Sequence, residues 1–207
     1  MNEILCVTSS PRGDASYSNL VAARVLREIR AVQPHANVTI RDLAHNPLPH
    51  IDNDFVTATR SVAGARTERQ RALLDQSDIL VDELVQADTI VIASAMINFS
   101  VPSTLKTWID YVCRPDRTFE YTDLGERGLL KGRKAILVLA RGGVFSGPLN
   151  GRDHQEAYLR TVLNFLGITD IETIIVEGVA LGPDAAEKAL ELGLRRAGAV
   201  AGPLALA

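Results

Sequence analysis

Five short apolar runs, separated by longer segments of helical period, constrain the fold of this chain more than any other feature. The runs are rich in β-branched residues and mostly lack polar alternation, which is typical of strands buried on both faces of a parallel sheet. They lie at residues 4–7, 38–40, 89–93, 135–139 and 173–176. Because strands and helices alternate, the sequence predicts an α/β fold with a five-stranded parallel sheet and helices on both faces.

The same alternation indicates where a ligand would bind. Open parallel sheets bind ligands at the carboxyl ends of the strands, beside the point where the strand order reverses. For five β–α units we predict the order 2-1-3-4-5, in which that point lies between strands 1 and 3. The most polar run, residues 38–40, is placed at the sheet edge. No linker or repeat divides the chain, so we predict one domain over residues 1–207.

Helical spacing and capping residues predict five helices. Thr67 and Gln70 form a capping box, Pro102 suits the first position of a helix, and Gly167 suits the end of one. The predicted helices are Ser18–Val32, a stretch from Thr67 through Val85, Pro102 to about Val112, about Asp153–Phe165, and one from about Pro183 through Leu194.

Two segments, residues 43–66 and 114–133, have no clear period and are predicted as long loops, the second with a turn near Leu124. Loops of this length inside a compact domain usually serve function, a partner interface or mobility.

Charge balance and cysteine count exclude several classes of protein. The chain carries 22 Lys and Arg against 25 Asp and Glu, a net charge of −3, without a basic patch, so we expect no nucleic-acid partner. The longest apolar stretch, residues 89–101, is interrupted by polar residues and too short to span a bilayer, so we expect no membrane association. Cys6 and Cys113 form neither a disulfide framework nor a zinc pattern, and no metal site is predicted. With no secretory signal at its start, the chain is expected to be cytoplasmic.

The loop after the first strand, residues 8–18, is dense in hydroxyl groups and leads directly into a helix. Ser10, Ser16 and Ser18, with the free N–H groups of that helix start, would form an anion cradle without a lysine. The alternative is that Ser16 or Ser18 only caps the helix. Because neither G-x-G-x-x-G nor a P-loop motif is present, the pattern favours a mononucleotide held by serines and backbone.

The loops after the third and fourth strands offer contacts for a flat ring. Met96, Ile97 and Phe99 are apolar, and Asn98 supplies a donor and an acceptor. Gly142-Gly143 permits positive φ and close approach of the backbone to a ligand. For the loop after the third strand, taken alone, the alternative is ordinary packing at a strand end. For Gly142-Gly143, the alternative is that glycine pairs are common in loops of any kind. Together, the three loops predict a phosphate at one end of a site and a ring at the other.

These motifs resemble, in order and along nearly the whole chain, the FMN-dependent NADH-azoreductases, also described as NADH:quinone oxidoreductases. The resemblance implies a flavodoxin-like three-layer sandwich with tightly bound FMN. Besides the three loops, similar segments are residues 41–43, 46–49, 118–122, 165–170, 177–178 and 182–183.

The resemblance also implies which residues hold the cofactor. On the phosphate side these are Ser10, Ser16, Tyr17 and Ser18. On the ring side they are Met96, Ile97, Asn98, Phe99, Ala140, Arg141, Gly142 and Gly143. The family usually has Tyr or Trp at the position of Ile97, and commonly Pro at Ala95. We therefore expect FMN binding to be kept and substrate preference to differ.

The activity implied by the resemblance is a ping-pong, two-electron reduction of quinones or azo compounds with NADH as donor, and NADPH as the alternative donor. No catalytic side chain is predicted, because the sequence shows no Ser-His-Asp or Cys-His arrangement and its histidines fall in loops or at helix ends. The resemblance further implies a homodimer whose interface completes each site. The two long loops would supply that contact, with Phe119 and Tyr121 as walls of the substrate pocket.

Two other functions are compatible with the sequence. One is a flavodoxin-like electron-transfer protein without its own small-molecule substrate, which the long loops and mild net charge disfavour. The other is a protein of the same fold that binds no cofactor and serves regulation or assembly.

Overall fold

A five-stranded parallel sheet lies at the centre of the protein. The computed structural model describes residues 2–148 and 150–201, without the side chain of the last, so residues 1, 149 and 202–207 of the expected domain lie outside it. The sheet strands are β1 (Glu3–Thr8), β2 (Asn37–Asp42), β3 (Thr89–Ala95), β6 (Lys134–Arg141) and β7 (Asp170–Glu177). Their order is β2-β1-β3-β6-β7, which confirms the predicted 2-1-3-4-5 arrangement and places the polar run at an edge.

Six α-helices cover the two faces of this sheet. They are α1 (Tyr17–Val32), α2 (Asn53–Arg60), α3 (Glu68–Gln86), α4 (Ser103–Val112), α5 (His154–Phe165) and α6 (Pro183–Ala201). Helices α1 and α6 share one apolar core with the sheet, and α2 to α5 contribute to the other. The predicted three-layer arrangement is therefore confirmed.

The strands contribute aliphatic side chains to both cores, as the unalternating apolar runs predict. Ile136, Leu137 and Val138 on the interior strand β6 are all fully buried, and they alternate between the two cores. Cys6 on β1 lies in the α1–α6 core, where burial raises the pKa of its thiol to about 12. Its thiol is thus inert at neutral pH.

The five predicted helices start within one residue of α1, α3, α4, α5 and α6. The predicted capping box is present at α3, where the Thr67 side chain accepts from the Gln70 N–H and the Gln70 side chain accepts from the Thr67 N–H. Pro102 precedes the first helical residue, because its ψ of 150° is extended and its carbonyl accepts the first helical bond from Lys106. It is therefore the cap of α4 and not its first residue.

The two segments predicted as long loops both contain regular structure. Residues 43–66 include α2, whose eight residues carry only two buried apolar side chains, Phe55 and Ala58, too few to show a period. Residues 114–133 include the hairpin β4 (Phe119–Thr122) and β5 (Gly125–Gly128), with four residues in each strand. Short elements that gain most of their stability from tertiary contacts leave a weak pattern in the sequence.

The hairpin lies at the amino end of the sheet. The Phe119 ring packs against Phe165, the last residue of α5, with 4.5 Å between ring centroids. The Leu130 N–H donates to the Leu166 carbonyl at 2.9 Å, just before β7 begins at Asp170. The hairpin of one chain is therefore at the opposite end from the carboxyl ends of its own strands.

In the part of the chain that the structure describes, no helix combines the length and the apolar character needed to cross a membrane.

Candidate functional site

The three loops singled out in the sequence follow β1, β3 and β6 and meet at the carboxyl edge of the sheet. The Ser9 N–H donates to the Ala93 carbonyl at 3.1 Å, which joins the first loop to β3. The Met96 N–H donates to the Ala140 carbonyl at 2.8 Å, which joins the second loop to β6. The strand order predicted this proximity, since β1, β3 and β6 are neighbours in the sheet.

Three buried serines lie on the first loop and at the start of α1, and we refer to Ser10, Ser16 and Ser18 together as the serine notch. Ser10, Ser16 and Ser18 are at most 2% exposed. The Oγ atoms of Ser16 and Ser18 are 3.0 Å apart, so both hydroxyls point to one place. The N–H groups of Tyr17 and Ser18 donate no hydrogen bond within the described part of the chain. Hydroxyls and free N–H groups at a helix start form an anion site.

Capping accounts for one of these serines only. Ser16 is the N-cap of α1, and its Oγ accepts from the Asn19 N–H over a long 3.4 Å. Ser18 lies inside the helix and caps nothing, although its hydroxyl is fully buried. The Arg12 guanidinium carbon lies 5.6 Å from the centre of the Tyr17 ring, beside the same notch. The first loop therefore offers a cationic rim as well as hydroxyls.

The second loop is a tight turn with an unfavourable backbone. Ile97 and Ser100 exchange hydrogen bonds of 2.9 and 3.0 Å, and between them Asn98 and Phe99 have φ values of 47° and 72°. Two successive positive φ values are those of a type I′ turn, which normally takes Asn-Gly. A Phe in this conformation costs about 1–2 kcal/mol. Such strain in an exposed turn is typical of functional sites.

The third loop presents free N–H groups. The carbonyls of Arg141, Gly142 and Gly143 accept hydrogen bonds from the N–H groups of residues 178–180. The N–H groups of Gly142 and Gly143 donate none in the described ranges 2–148 and 150–201. Both Gly142 and Gly143 have negative φ, so a left-handed backbone does not explain why glycine occurs at these positions. What glycine provides here is the absence of a side chain. They fit the close backbone approach that the sequence predicts.

Arg141 and Ala140 differ from the other predicted ring residues, because their side chains are buried in the protein. Ala140 is 6% exposed and packs in the α1–α6 core. Arg141 is 3% exposed, and its Nη2 lies 2.6 Å from Asp153, in an ion pair that lacks the geometry of a hydrogen bond. Only their backbone can contact a ligand at this loop.

Glu177, at the end of β7, fixes the far side of the third loop. Its carboxylate accepts from the N–H groups of Phe145 and Ser146 at 2.8 and 3.2 Å and from the Ser146 hydroxyl. Burial raises the pKa of Glu177, but these hydrogen bonds and nearby Arg141 outweigh burial and hold it below its ordinary value. Phe145 in turn meets Phe99 edge to face, with ring centroids 6.3 Å apart.

An open groove of about 640 Å³ borders the strained turn on the side of α4 and α5. Ile97 lies in its wall and is 42% exposed. Burial, with Asp110 and Cys113, raises the pKa of Tyr158 to about 12, so its hydroxyl remains a hydrogen-bond donor at neutral pH. The groove is lined by Ile97, Asn98, Ser100, Val101, Ser103, Lys106 and Tyr158.

The two residues predicted as substrate-pocket walls, Phe119 and Tyr121, are not brought to this groove. Both lie on the hairpin at the amino end of the sheet. Phe119 is 5% exposed and belongs to the core, so it supports Tyr121, whose ring centre is 5.4 Å away. Tyr121 is 75% exposed and faces away from its own core. Within one chain, neither residue can line the pocket.

The sequence did not predict which residues hold the site loops in place through contacts within the protein. These are Glu177 on β7 and the first turn of α5, which contacts both the second and the third loop. Asp153 followed three residues later by Glu156 is a visible helix-start signal. Its second role, as the partner of a buried Arg141, has no sequence signature because the two residues meet only in the folded chain.

Comparison with known proteins identifies relatives over nearly the whole length. The profile of a family described by a flavodoxin-like fold matches residues 2–200. A Rhizobium etli protein named FMN-dependent NADH:quinone oxidoreductase 1 is 52% identical over 191 residues, covering 92% of this chain and 93% of that protein.

Two solved structures are similar over the same length. The crystal structure of an azoreductase from Bacillus anthracis Sterne has a TM-score of 0.91 at 31% identity and covers 98% of this chain and 100% of the other. An FMN-dependent NADH-azoreductase from Bacillus anthracis Ames Ancestor, solved in complex with FMN, also has a TM-score of 0.91, at 25% identity, covering 99% and 100%.

Proposed function

This chain belongs to the family with the flavodoxin-like fold, and from that premise we propose that it is an FMN-dependent oxidoreductase that passes two electrons from NADH to quinones or azo compounds. The observation that carries the proposal is the convergence of an anion notch and a ring-sized loop pair at one edge of the sheet. The relatives named as NADH:quinone oxidoreductases support the electron donor and the acceptor class.

The chemistry of the donor set fits FMN. Ser10, Ser16 and Ser18 are buried hydroxyls beside free N–H groups, which suits a phosphate dianion. The ring end offers two free glycine N–H groups and the amide of Asn98, which suit the polar edge of a flavin. The apolar side chains of Met96, Ile97 and Phe99 suit its flat face.

When bound, FMN supplies hydride and electron transfer between the two substrates in turn, which is the basis of a ping-pong cycle. The residues of this chain have three tasks. The serine notch anchors the phosphate, the strained turn and the glycine loop orient the ring, and the groove beside Ile97 admits the acceptor. No side chain needs to act as nucleophile.

We further propose a homodimer in which the hairpin of one copy closes the groove of the other. Tyr121 is 75% exposed and Leu124, at the hairpin tip, is fully exposed, so the hairpin presents apolar surface that a partner could bury. The hairpin lies at the amino end of its own sheet, and the pocket lies at the carboxyl end. Only a second copy can therefore bring Tyr121 to the pocket. A cytoplasmic location stays part of the proposal.

The absorption spectrum of the purified protein tests the function. We expect a yellow protein whose flavin bands bleach within seconds of adding NADH and return on adding a quinone. NADPH in a parallel assay determines the nucleotide preference. Slow or absent bleaching with normal flavin content would support the electron-transfer alternative, and a protein that stays colourless after addition of FMN would exclude both.

A further inference from the structure

The first turn of α5 contacts two of the three site loops at once. The His154 N–H donates to the Phe99 carbonyl at 2.9 Å, which fixes the strained turn. Gln155 Nε2 donates to the Ser94 carbonyl at 3.3 Å and lies 3.1 Å from the Ser94 Oγ, which fixes the start of the same loop. Asp153 reaches the third loop through its ion pair with Arg141.

The side chains of Gln155, Ser94 and Arg141 in these contacts are buried, so water cannot replace their partners. Gln155 and Ser94 are fully buried, and the side chain of Arg141 is 3% exposed. Glu156 and Glu177 are the other carboxylates near Arg141, at 3.5 and 4.0 Å. If Asp153 lost its charge, the guanidinium would move toward these two, and the strand end before Gly142 would move with it.

We propose that Asp153 and Gln155 are positioning residues for the ring end of the flavin site. Together with the His154 N–H between them, they hold the turn at Asn98–Phe99 and the loop at Gly142-Gly143 at a fixed separation. The inference rests on the proposed function. It goes beyond that function because it assigns the spacing between the two ring loops to two pairs, Asp153 with Arg141 and Gln155 with Ser94.

The competing explanation is that these residues only stabilise α5. Asp153 is the N-cap of that helix, and its Oδ1 accepts from the N–H groups of Gln155 and Glu156 at 3.0 and 3.3 Å. Asp153→Asn separates the two roles, because Asn caps helices as well as Asp does but carries no charge for Arg141. Ser94→Ala is a second, smaller change, since it removes the hydroxyl next to Gln155 and adds no volume.

The experiment measures the dissociation constants of FMN and riboflavin for the refolded apoprotein by flavin fluorescence. For Asp153→Asn we expect both ligands to bind about tenfold more weakly, by the same factor, because the ring end is common to both. The matched control is the Ser16→Ala/Ser18→Ala double variant, which removes phosphate contacts and should weaken FMN far more than riboflavin. At saturating FMN, the absorption spectrum of Asp153→Asn should also differ from wild type, which a loss of helix stability alone would not cause.

Wild-type affinity for both ligands, or an unchanged spectrum at saturation, would overturn the inference while leaving the proposed function intact. A loss confined to FMN would overturn it too, because Asp153 would then act at the phosphate end. If Asp153→Asn does not fold, the FMN and riboflavin affinities and the spectrum of Ser94→Ala test the inference by the same criteria. Failure of wild-type protein to bind FMN would instead overturn the proposed function.

Discussion

At the scale of single residues, the sharpest mark of function is Phe99. An aromatic residue with φ of 72° in a turn that suits glycine is a local conflict between sequence and backbone. The ring is still 45% exposed, so packing alone does not account for the strain. The turn sets Phe99 where it meets Phe145 and where a flavin ring would bind.

Replacing Phe99 by Gly should separate stability from function. Relief of about 1–2 kcal/mol of left-handed strain offsets the loss of an aromatic contact worth about 0.5–1.5 kcal/mol. We therefore expect the free energy of unfolding of the apoprotein, from urea titration, to change by less than about 1 kcal/mol, while FMN affinity falls. Strong destabilisation with unchanged FMN affinity would show that Phe99 is a packing residue.

Ile97 is the residue expected to set substrate preference. Substitution by Tyr narrows the groove beside the turn, so the ratio of rates on an azo dye and on a quinone should change. Ile79→Tyr on α3 is the matched control, because Ile79 is exposed and does not line the groove. Equal ratios for both variants and wild type would mean that Ile97 does not contact the acceptor.

At the scale of elements, the hairpin depends on one close approach between two glycines. A Cβ on Gly128 would lie 2.6 Å from the Cα of Gly167, at the end of α5. Backbone atoms there cannot yield, so Gly128→Ala should lower the free energy of unfolding by about 1–3 kcal/mol or more. Gly64→Ala is the control, since nothing lies within 4 Å of its added Cβ. Similar unfolding midpoints for both variants would contradict this docking.

The link between β7 and the third loop should depend on pH. Because the folded pKa of Glu177 is below the ordinary 4.5, its carboxylate stabilises the fold above that value and loses this contribution as pH falls through the folded pKa. We expect Glu177→Gln to lower the free energy of unfolding at pH 7 by about 1–3 kcal/mol. In urea titrations the difference from wild type should shrink below pH 4.5. A constant difference across pH would show that charge is not involved.

At the scale of the whole molecule, the proposed dimer would make the active site a property of two chains, because it would bring Tyr121 of one copy to the groove of the other. Variant Tyr121→Ala and the variant Ser16→Ala/Ser18→Ala each damage one half of a shared site. Refolded together in equal amounts, half of the dimers should be mixed, and each mixed dimer has one intact site, so about a quarter of the wild-type activity should return. No recovery would mean that the hairpin of one copy does not complete the site of the other.

The hydrophobic pattern of the sequence determined the fold class, the strand order and the three loops that meet at the carboxyl edge. It did so because buried parallel strands need unbroken apolar runs, and their order then places the loops that follow them. The serine-rich loop and the turn at Met96–Phe99 were also visible, because each contact set is local in the sequence. The resemblance to the azoreductases added the cofactor.

Only the tertiary structure decided the rest. It formed α2 and the hairpin, whose few residues gain stability from contacts across the chain, and it placed the hairpin at the far end of its own sheet. It also buried Arg141 among carboxylates from α5 and β7. The pairing of Asp153 with Arg141 cannot be predicted from a sequence spacing, because packing of the folded chain brings the two residues together and no periodic pattern relates them.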